Sequence, residues 1–225
     1  MGYAIKEMPL QVEARLIEKL GRCETATIGH VRQLGFVDRA VQAVIPGTRI
    51  AGTAVTLALP GQDSTLMHHV LGLLRPGDVL IVDRLGDDKH ACFGGGTAAA
   101  AKAAGAAAVL VDGPCADVSE IRGHDLPVWC RGPAPITTRR YDIGGAFNVP
   151  ICCGGAAVLP GYAVLADEGG ILVLPPSEVE EIADWAIEKL ASEPESHRQM
   201  LEEGLRIGDL SGASALVQAK PADWF

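Results

Sequence analysis

The chain has 225 residues, 48% of them apolar and 21% charged, with a formal net charge of −9 at pH 7. That length allows one substantial domain burying roughly three-quarters of its unfolded surface, and the composition excludes a disordered chain. The acidic balance and 4% aromatic content exclude the basic stripe and stacking platforms of a nucleic-acid binder, and the longest apolar stretch, Ala98 to Val111, is too short and alanine-rich to cross a membrane. An acidic surface still suits a basic protein partner. The opening MGYAIKEMPLQ has no apolar signal core, which points to a soluble cytoplasmic protein.

In chain order, residues 11–35 predict a helix broken near Gly21–Arg22 and a second helix from about Thr25 to Leu34. Ile50 to Leu59 alternates as a strand does, Pro60–Gly61 turns the chain, and Ser64 to Leu74 reads as a helix ended by Pro76–Gly77. The nearly continuous apolar run Asp78 to Arg84 predicts a strand covered on both faces. Thr97 to Ala104 predicts a helix stopped by Gly105, and Ala107 to Val111 the next buried strand, which completes a β-α-β unit. Further strands are expected at Leu126 to Cys130, Val149 to Cys153, Ala163 to Ala166 and Ile171 to Leu174, the last two joined as a hairpin through Asp167-Glu168-Gly169-Gly170. From Ser177, an amphipathic helix carries Val179, Ile182, Ala183, Ala186, Ile187 and Leu190 on one face, with Ser177 as N-cap and Glu180 completing a capping box. This arm can cover the core or a neighbouring subunit. The whole reads as a single α/β domain over residues 1–225, with the arm from about 177 to 225.

Six cysteines, at 23, 92, 115, 130, 152 and 153, show no paired C-x-x-C spacing and are expected as buried, reduced thiols. The glycine triplet Gly94, Gly95, Gly96 stands directly before a strong helix former. A helix N-terminus has unpaired N–H groups and partial positive charge, so bare glycines there open it to a carboxylate or phosphate; equally, they permit a tight turn or close helix packing. No Gly-Lys-Ser/Thr follows and the G-x-G-x-x-G spacing is missing, so the turn is not a nucleotide loop. Asp117 and Glu120 follow a buried strand, at the end where α/β sheets meet ligands. Their oxygens suit a hard divalent ion, although Asp117 could simply cap a helix over Val118 to Arg122 with Glu120 solvated.

The ordered set PGDVLIVD, GGGTAAAAKAAG, VLVDGPCADVSEI, NVPICCGG and PGYAVLADEGGILVLP resembles the RraA-like family, from about Thr25 to Gly204. That family contains metal-dependent 4-hydroxy-4-methyl-2-oxoglutarate and 4-carboxy-4-hydroxy-2-oxoadipate aldolases, together with regulators of ribonuclease activity. The resemblance implies a β/β/α fold similar to the swivelling phosphohistidine domain, with the C-terminal helical arm appended. It also implies assembly as a homotrimer or homohexamer, with sites near subunit interfaces where Glu193 or Glu195 of the arm could contribute. The family's aldolases carry a glycine, about twenty residues, then Arg-Asp, two residues and an acid. Asp117 and Glu120 match the two acids, but Ala116 stands at the arginine position, and the acidic residue common beside the family's first loop glycine is missing.

By resemblance, the expected activity is a divalent-metal-dependent lyase, an aldolase or an oxaloacetate decarboxylase-like enzyme, acting on a small 2-oxo acid through a metal-stabilised pyruvate enolate. Asp117 and Glu120 are the expected ligands of Mg²⁺ or Mn²⁺, with Asp117 and Lys89 catalytic. Gly94, Gly95, Gly96, Thr97 and Arg84 are the expected substrate contacts. His90, Arg122, Arg139 and Arg140 are further candidates for the missing cation, and Asp87 could support the metal through water. The loss of the arginine keeps two alternatives open: a non-catalytic protein-binding regulator, or a metal-dependent enzyme with a different substrate.

Overall fold

The structure is a computed structural model that describes residues 2–220. Residue 1 and residues 221–225, which belong to the expected domain and arm, lie outside that range. In chain order the first strands are β1 (Tyr3–Ile5), β2 (Gln42–Ala43), β3 (Ile50–Ala58), β4 (Asp78–Asp83), β5 (Ala108–Asp112) and β6 (Val128–Cys130). β7 (Gly145–Phe147), β8 (Ile151–Cys153), β9 (Ala156–Val158), β10 (Ala163–Asp167) and β11 (Gly170–Leu174) follow. The helices are α1 (Ala14–Leu20), α2 (Thr25–Ile28), α3 (Thr65–Val70), α4 (Gly95–Ala103), α5 (Val118–Gly123), α6 (Val179–Glu202), α7 (Ile207–Leu210) and α8 (Ala213–Gln218).

β3, β4, β5 and β6 pair in parallel, joined by helical crossovers, and form the centre of one sheet. β2 closes one edge antiparallel to β6, while β7 and β10 both pair antiparallel with different parts of β3. The two faces of β4 and β5 are both buried, as their unbroken apolar runs require. Leu80, Val82, Val109 and Val111 pack on the side of α3, α4 and α5. Val79, Ile81, Ala108 and Leu110 pack on the other side with Ile151 and Cys153 of β8 and Val158 of β9. Helices α1, α2 and the first half of α6 cover the β10–β11 hairpin through Leu16, Leu20, Ile28, Val179, Ala183 and Ala186. The arm therefore covers this chain's own core along its first turns, whereas Leu201, Ile207, Leu216 and Val217 beyond it are exposed.

The α/β class, the β-α-β unit and the appended helix match expectation, and four local readings need correction. The second helix ends at Ile28 instead of near Leu34, because the chain turns at Gly29 and then joins the sheet: Phe36 bridges Leu172 and Val37 N–H donates to Ile171 O. The first helix starts at Ala14, since Gln11 is drawn sideways to Pro76 O and Asp78 and Val12 N–H donates to Thr53 Oγ1. Ser177 caps nothing; it lies inside a 3₁₀ turn over Pro176–Glu178 that feeds α6 from Val179. Cys152 is exposed while the other five cysteines are buried, because β8 is a two-residue-period strand with only Ile151 and Cys153 turned inward.

Candidate functional site

The sheet brings three loops together at the carboxyl ends of β4 and β5. Ala91 bridges Thr137, Phe93 bridges Cys115, and Cys115 bridges Pro133, so the segments after β4, β5 and β6 lie side by side. Phe93 is 1% exposed and anchors this layer; Ala116 N–H donates to Phe93 O at 2.8 Å. That anchor sets the start of α4 against the start of α5. Helix α4 begins at Gly95, two residues before the expected Thr97, with Gly94 as its N-cap. Gly94 has no side chain to cap with, so Thr97 closes the turn from inside: its Oγ1 accepts Gly94 N–H at 2.8 Å and donates to Gly94 O at 2.9 Å.

The triplet's three glycines have different jobs. Gly95 N–H donates to Asp117 Oδ2 at 3.2 Å, so the helix N-terminus holds a carboxylate of the chain itself. A Cβ on Gly94 would lie 2.7 Å from Asp117 Oδ2, and one on Gly95 would overlap the Glu120 carboxylate and sit 2.9 Å from Glu120 Cβ. These two glycines are what let both acids approach α4. Gly96 has nothing within 4 Å of where a Cβ would point and opens onto a cavity. Asp117 itself has a left-handed backbone, φ 50° and ψ 41°, a conformation aspartate tolerates better than most residues and one that often marks a functional position. Its side chain accepts no capping bond from α5, so the capping alternative is not the role it plays.

The cavity, about 420 Å³, is lined by Gly94, Gly96, Thr97, Ala116 and Asp117, and across from them by Ser64, His68, Thr137 and Thr138. Apolar wall comes from Leu71, Ala91, Cys92, Phe93 and Ala100. Burial pushes the Cys92 thiol up to about 11, which keeps it neutral. Asp117 also borders a second, more open groove with Glu120, Pro133 and Ala134. Both acids are exposed. Among the described residues no group of three or more His, Cys, Asp or Glu side chains gathers closely enough to enclose a metal alone. The donor set nonetheless fits Mg²⁺ or Mn²⁺: one accessible carboxylate with Oδ1 left over from its single bond to Gly95, a second acid three residues on, and room for water and a ligand.

Gly94, Gly96, Thr97 and Asp117 are thus brought together at one cavity, with Glu120 in the adjoining groove. Arg84 and Lys89 stand apart from it. Arg84 is 0% exposed, and its guanidinium donates to Leu59 O at 3.2 Å, His90 O at 3.3 Å and Gly61 O, with Asp87 at 3.4 Å. It fastens the 84–90 turn from within, and Gly113 is needed there because a Cβ would lie 2.7 Å from Arg84 Cγ. Burial alone would raise the Asp87 carboxyl; the Lys89 amide, the His90 ring and amide, and Arg84 reverse that and lower it. Lys89 is exposed on the same turn. Arg122 spends its Nε on Val44 O, and Arg139 folds onto Thr137 Oγ1 at 2.8 Å and Thr138 O at 3.1 Å. His68, Ser64, Thr137 and Thr138 were not singled out from the sequence; only the His68-His69 pair on a short predicted helix offered any signal.

The comparisons with known proteins agree with the fold. The model of the RraA-like family, described as Aldolase/RraA, matches residues 14–173. A Thermus thermophilus protein named 4-hydroxy-4-methyl-2-oxoglutarate aldolase is 37% identical over 128 residues, 56% of this chain and 76% of its own. A Halalkalibacterium halodurans protein provisionally named for the same activity is 29% identical over 159 residues, 71% of this chain and 75% of its own. The crystal structure of Streptomyces coelicolor RraAS2, described as an unusual member of the RNase ES inhibitor RraA family, superposes with a TM-score of 0.74 at 30% identity, covering 85% of this chain and 98% of that one. On its fold, its ordered motifs and the match over residues 14–173, the chain belongs to the RraA-like family.

Proposed function

We propose that this chain is an aldolase-type lyase that cleaves a small 4-hydroxy-2-oxo acid with the help of a divalent metal. The observation that carries the reading is the accessible Asp117 carboxylate, fixed by Gly95 N–H at the junction of a cavity and a groove lined by Glu120. The names of the aldolase relatives support the same reaction class. In that reaction the bond between C3 and C4 breaks, the C4 hydroxyl becomes a carbonyl as it gives up its proton, and the electron pair left on C3 takes up a proton to give pyruvate.

Asp117 would hold Mg²⁺ or Mn²⁺, with Glu120 acting through water. A divalent ion there supplies Lewis-acid charge that draws electrons toward the 2-oxo group. The chain's own residues do the rest. Asp117 is kept in one orientation by the α4 N-terminus, Thr97 closes the glycine turn, and Gly96 leaves open backbone for a carboxylate to approach. Leu71, Ala91, Phe93 and Ala100 give the cavity apolar wall. His68 brings an imidazole to the cavity, a side chain able to pass a proton to or from a ligand there.

Ala116 favours a second reading. Without a guanidinium, the site lacks a donor of the kind whose removal typically costs ~10²–10³ in rate, and RraAS2 is described as belonging to an inhibitor family. A non-catalytic protein-binding regulator is that alternative. Pyruvate release from a panel of 4-hydroxy-2-oxo acids, with Mn²⁺ and with EDTA, separates the two: metal-dependent release supports the lyase, and its absence across the panel contradicts it.

A further inference from the structure

We propose that Arg139 is the carboxylate-binding residue of the cavity: its guanidinium, held at the rim by Thr137 and Thr138, pairs with the carboxylate of a small acid lying between it and Asp117. The inference deepens the lyase reading and rests on it for the metal. Arg139 is exposed. All its side-chain hydrogen bonds among the described residues run through Nη1, which donates to Thr137 Oγ1 at 2.8 Å, Thr138 O at 3.1 Å and Thr137 O at 3.4 Å. Thr137 and Thr138 both line the cavity, so one end of the guanidinium is fixed on its wall. Nε and Nη2 have no partner among the described residues. Those two donors share one edge of the planar group, and their parallel N–H bonds match the two oxygens of a carboxylate.

The backbone beneath this side chain is fixed as well. Arg139 bridges Asp63 in parallel: its N–H donates to Gln62 O at 2.8 Å, and its carbonyl accepts Ser64 N–H at 2.8 Å. Asp63, 0% exposed, accepts the Tyr141 amide at 2.9 Å and the Ile143 amide at 2.8 Å, which holds the segment just beyond. A fork pinned at its backbone and at one nitrogen loses little freedom when a ligand takes the open edge. Charge supplies the need for it. A divalent ion balances Asp117 and Glu120, so an arriving carboxylate requires a further cation. Ala116 offers only a methyl, and Arg84, 0% exposed, is turned onto the carbonyls of Leu59, Gly61 and His90. Arg139 is the guanidinium that both touches the cavity wall and keeps donors open.

The test is calorimetry on the full chain loaded with Mn²⁺. Pyruvate is the probe, and pyruvamide, with a neutral amide in place of the carboxylate, is its control. Arg139→Gln should weaken pyruvate binding about tenfold and pyruvamide binding less than about twofold, with Mn²⁺ affinity and the denaturant midpoint unchanged. Arg140→Gln removes the same charge one residue on without losing a bond to a lining residue, and should weaken pyruvate binding less than about twofold. Unchanged pyruvate binding in Arg139→Gln overturns the inference, as does an equal loss in the two variants, which would reduce Arg139 to its share of the summed charge. Failure of the Mn²⁺-loaded parent to bind pyruvate overturns it too. In each of these cases Mn²⁺-dependent pyruvate release from a 4-hydroxy-2-oxo acid keeps the lyase reading alive. Pyruvate bound through Arg139 with no such release does the reverse: the lyase reading falls and the carboxylate site stands.

Discussion

Replacing Gly94 by alanine inserts one methyl between the glycine turn and Asp117. The backbone there is extended, φ −159° and ψ −163°, so alanine can adopt it and the effect falls on the neighbour. The new carbon would lie 2.7 Å from Asp117 Oδ2, where ordinary contact begins at 3.4 Å, so the carboxylate must retreat by that difference. Its bond from Gly95 N–H is already 3.2 Å long, and the retreat carries it out of hydrogen-bond range. A hydrogen bond to a charged group is worth about 1.5–3 kcal/mol, and the exposure of Asp117 puts the loss at the low end. Mn²⁺ affinity should therefore fall about tenfold, while the loss of a glycine N-cap lowers global stability by about 1 kcal/mol. Calorimetric Mn²⁺ titration beside a denaturant midpoint measures both. Unchanged Mn²⁺ affinity in a folded variant would refute the role given to the close approach, and a stability loss above about 3 kcal/mol would mark the glycine as a packing device.

Three further outcomes are expected. Arg84→Met leaves Asp87 and the carbonyls of Leu59, Gly61 and His90 without their buried cation and should cost about 3–5 kcal/mol in denaturant unfolding; a cost below about 1 kcal/mol would mean the guanidinium is free for other work. Burial pushes the Asp63 carboxyl up, but the Thr65 hydroxyl and the amides of Thr65, Ile143 and Tyr141 outweigh it and bring it from 3.8 to about 2. A carboxyl depressed in the fold stabilises fully above its unfolded value and loses that contribution as pH falls from about 4 to about 2, so the parent should lose roughly 2 kcal/mol of stability over that window that Asp63→Asn does not; an unaltered acid transition contradicts the assignment. Light scattering of the full chain should give three or six times 23.5 kDa, as expected if the exposed Leu201, Ile207, Leu216 and Val217 meet a second copy; a monomer at micromolar concentration rules this out.

The strands that run through the core were legible because their chemistry is local. Val79 to Val82 and Val109 to Val111 are unbroken apolar runs, and only a strand covered on both faces uses such a run. Gly105 and Pro76 ended their helices where side-chain and backbone rules say they must. The edges were not legible: β1, β2, β7 and β9 have two or three residues each, too few for a period to show, and their pairing depends on distant partners. The same division holds in the site. Asp117, Glu120 and the triplet are adjacent in motif, so the sequence reading reached them. What Gly95 N–H binds depends on how β5 delivers Asp117, so the triplet was expected to cradle a ligand, whereas Gly95 first cradles the chain's own carboxylate. Arg84 is charged and precedes the loop, yet the fold turns it inward onto carbonyls that no pattern announces. His68 and Thr138 reach the cavity from segments far from the motif.

We propose Asp117 as the residue that would hold a divalent metal in this chain. Asp117→Asn keeps the side chain's size and its bond from Gly95 N–H while removing the charge a divalent ion needs. Calorimetric titration of this variant with Mn²⁺, at a pH where parent and variant have matching unfolding midpoints, should show at least a hundredfold loss of affinity against the parent chain. Equal Mn²⁺ binding by the two proteins would contradict the account.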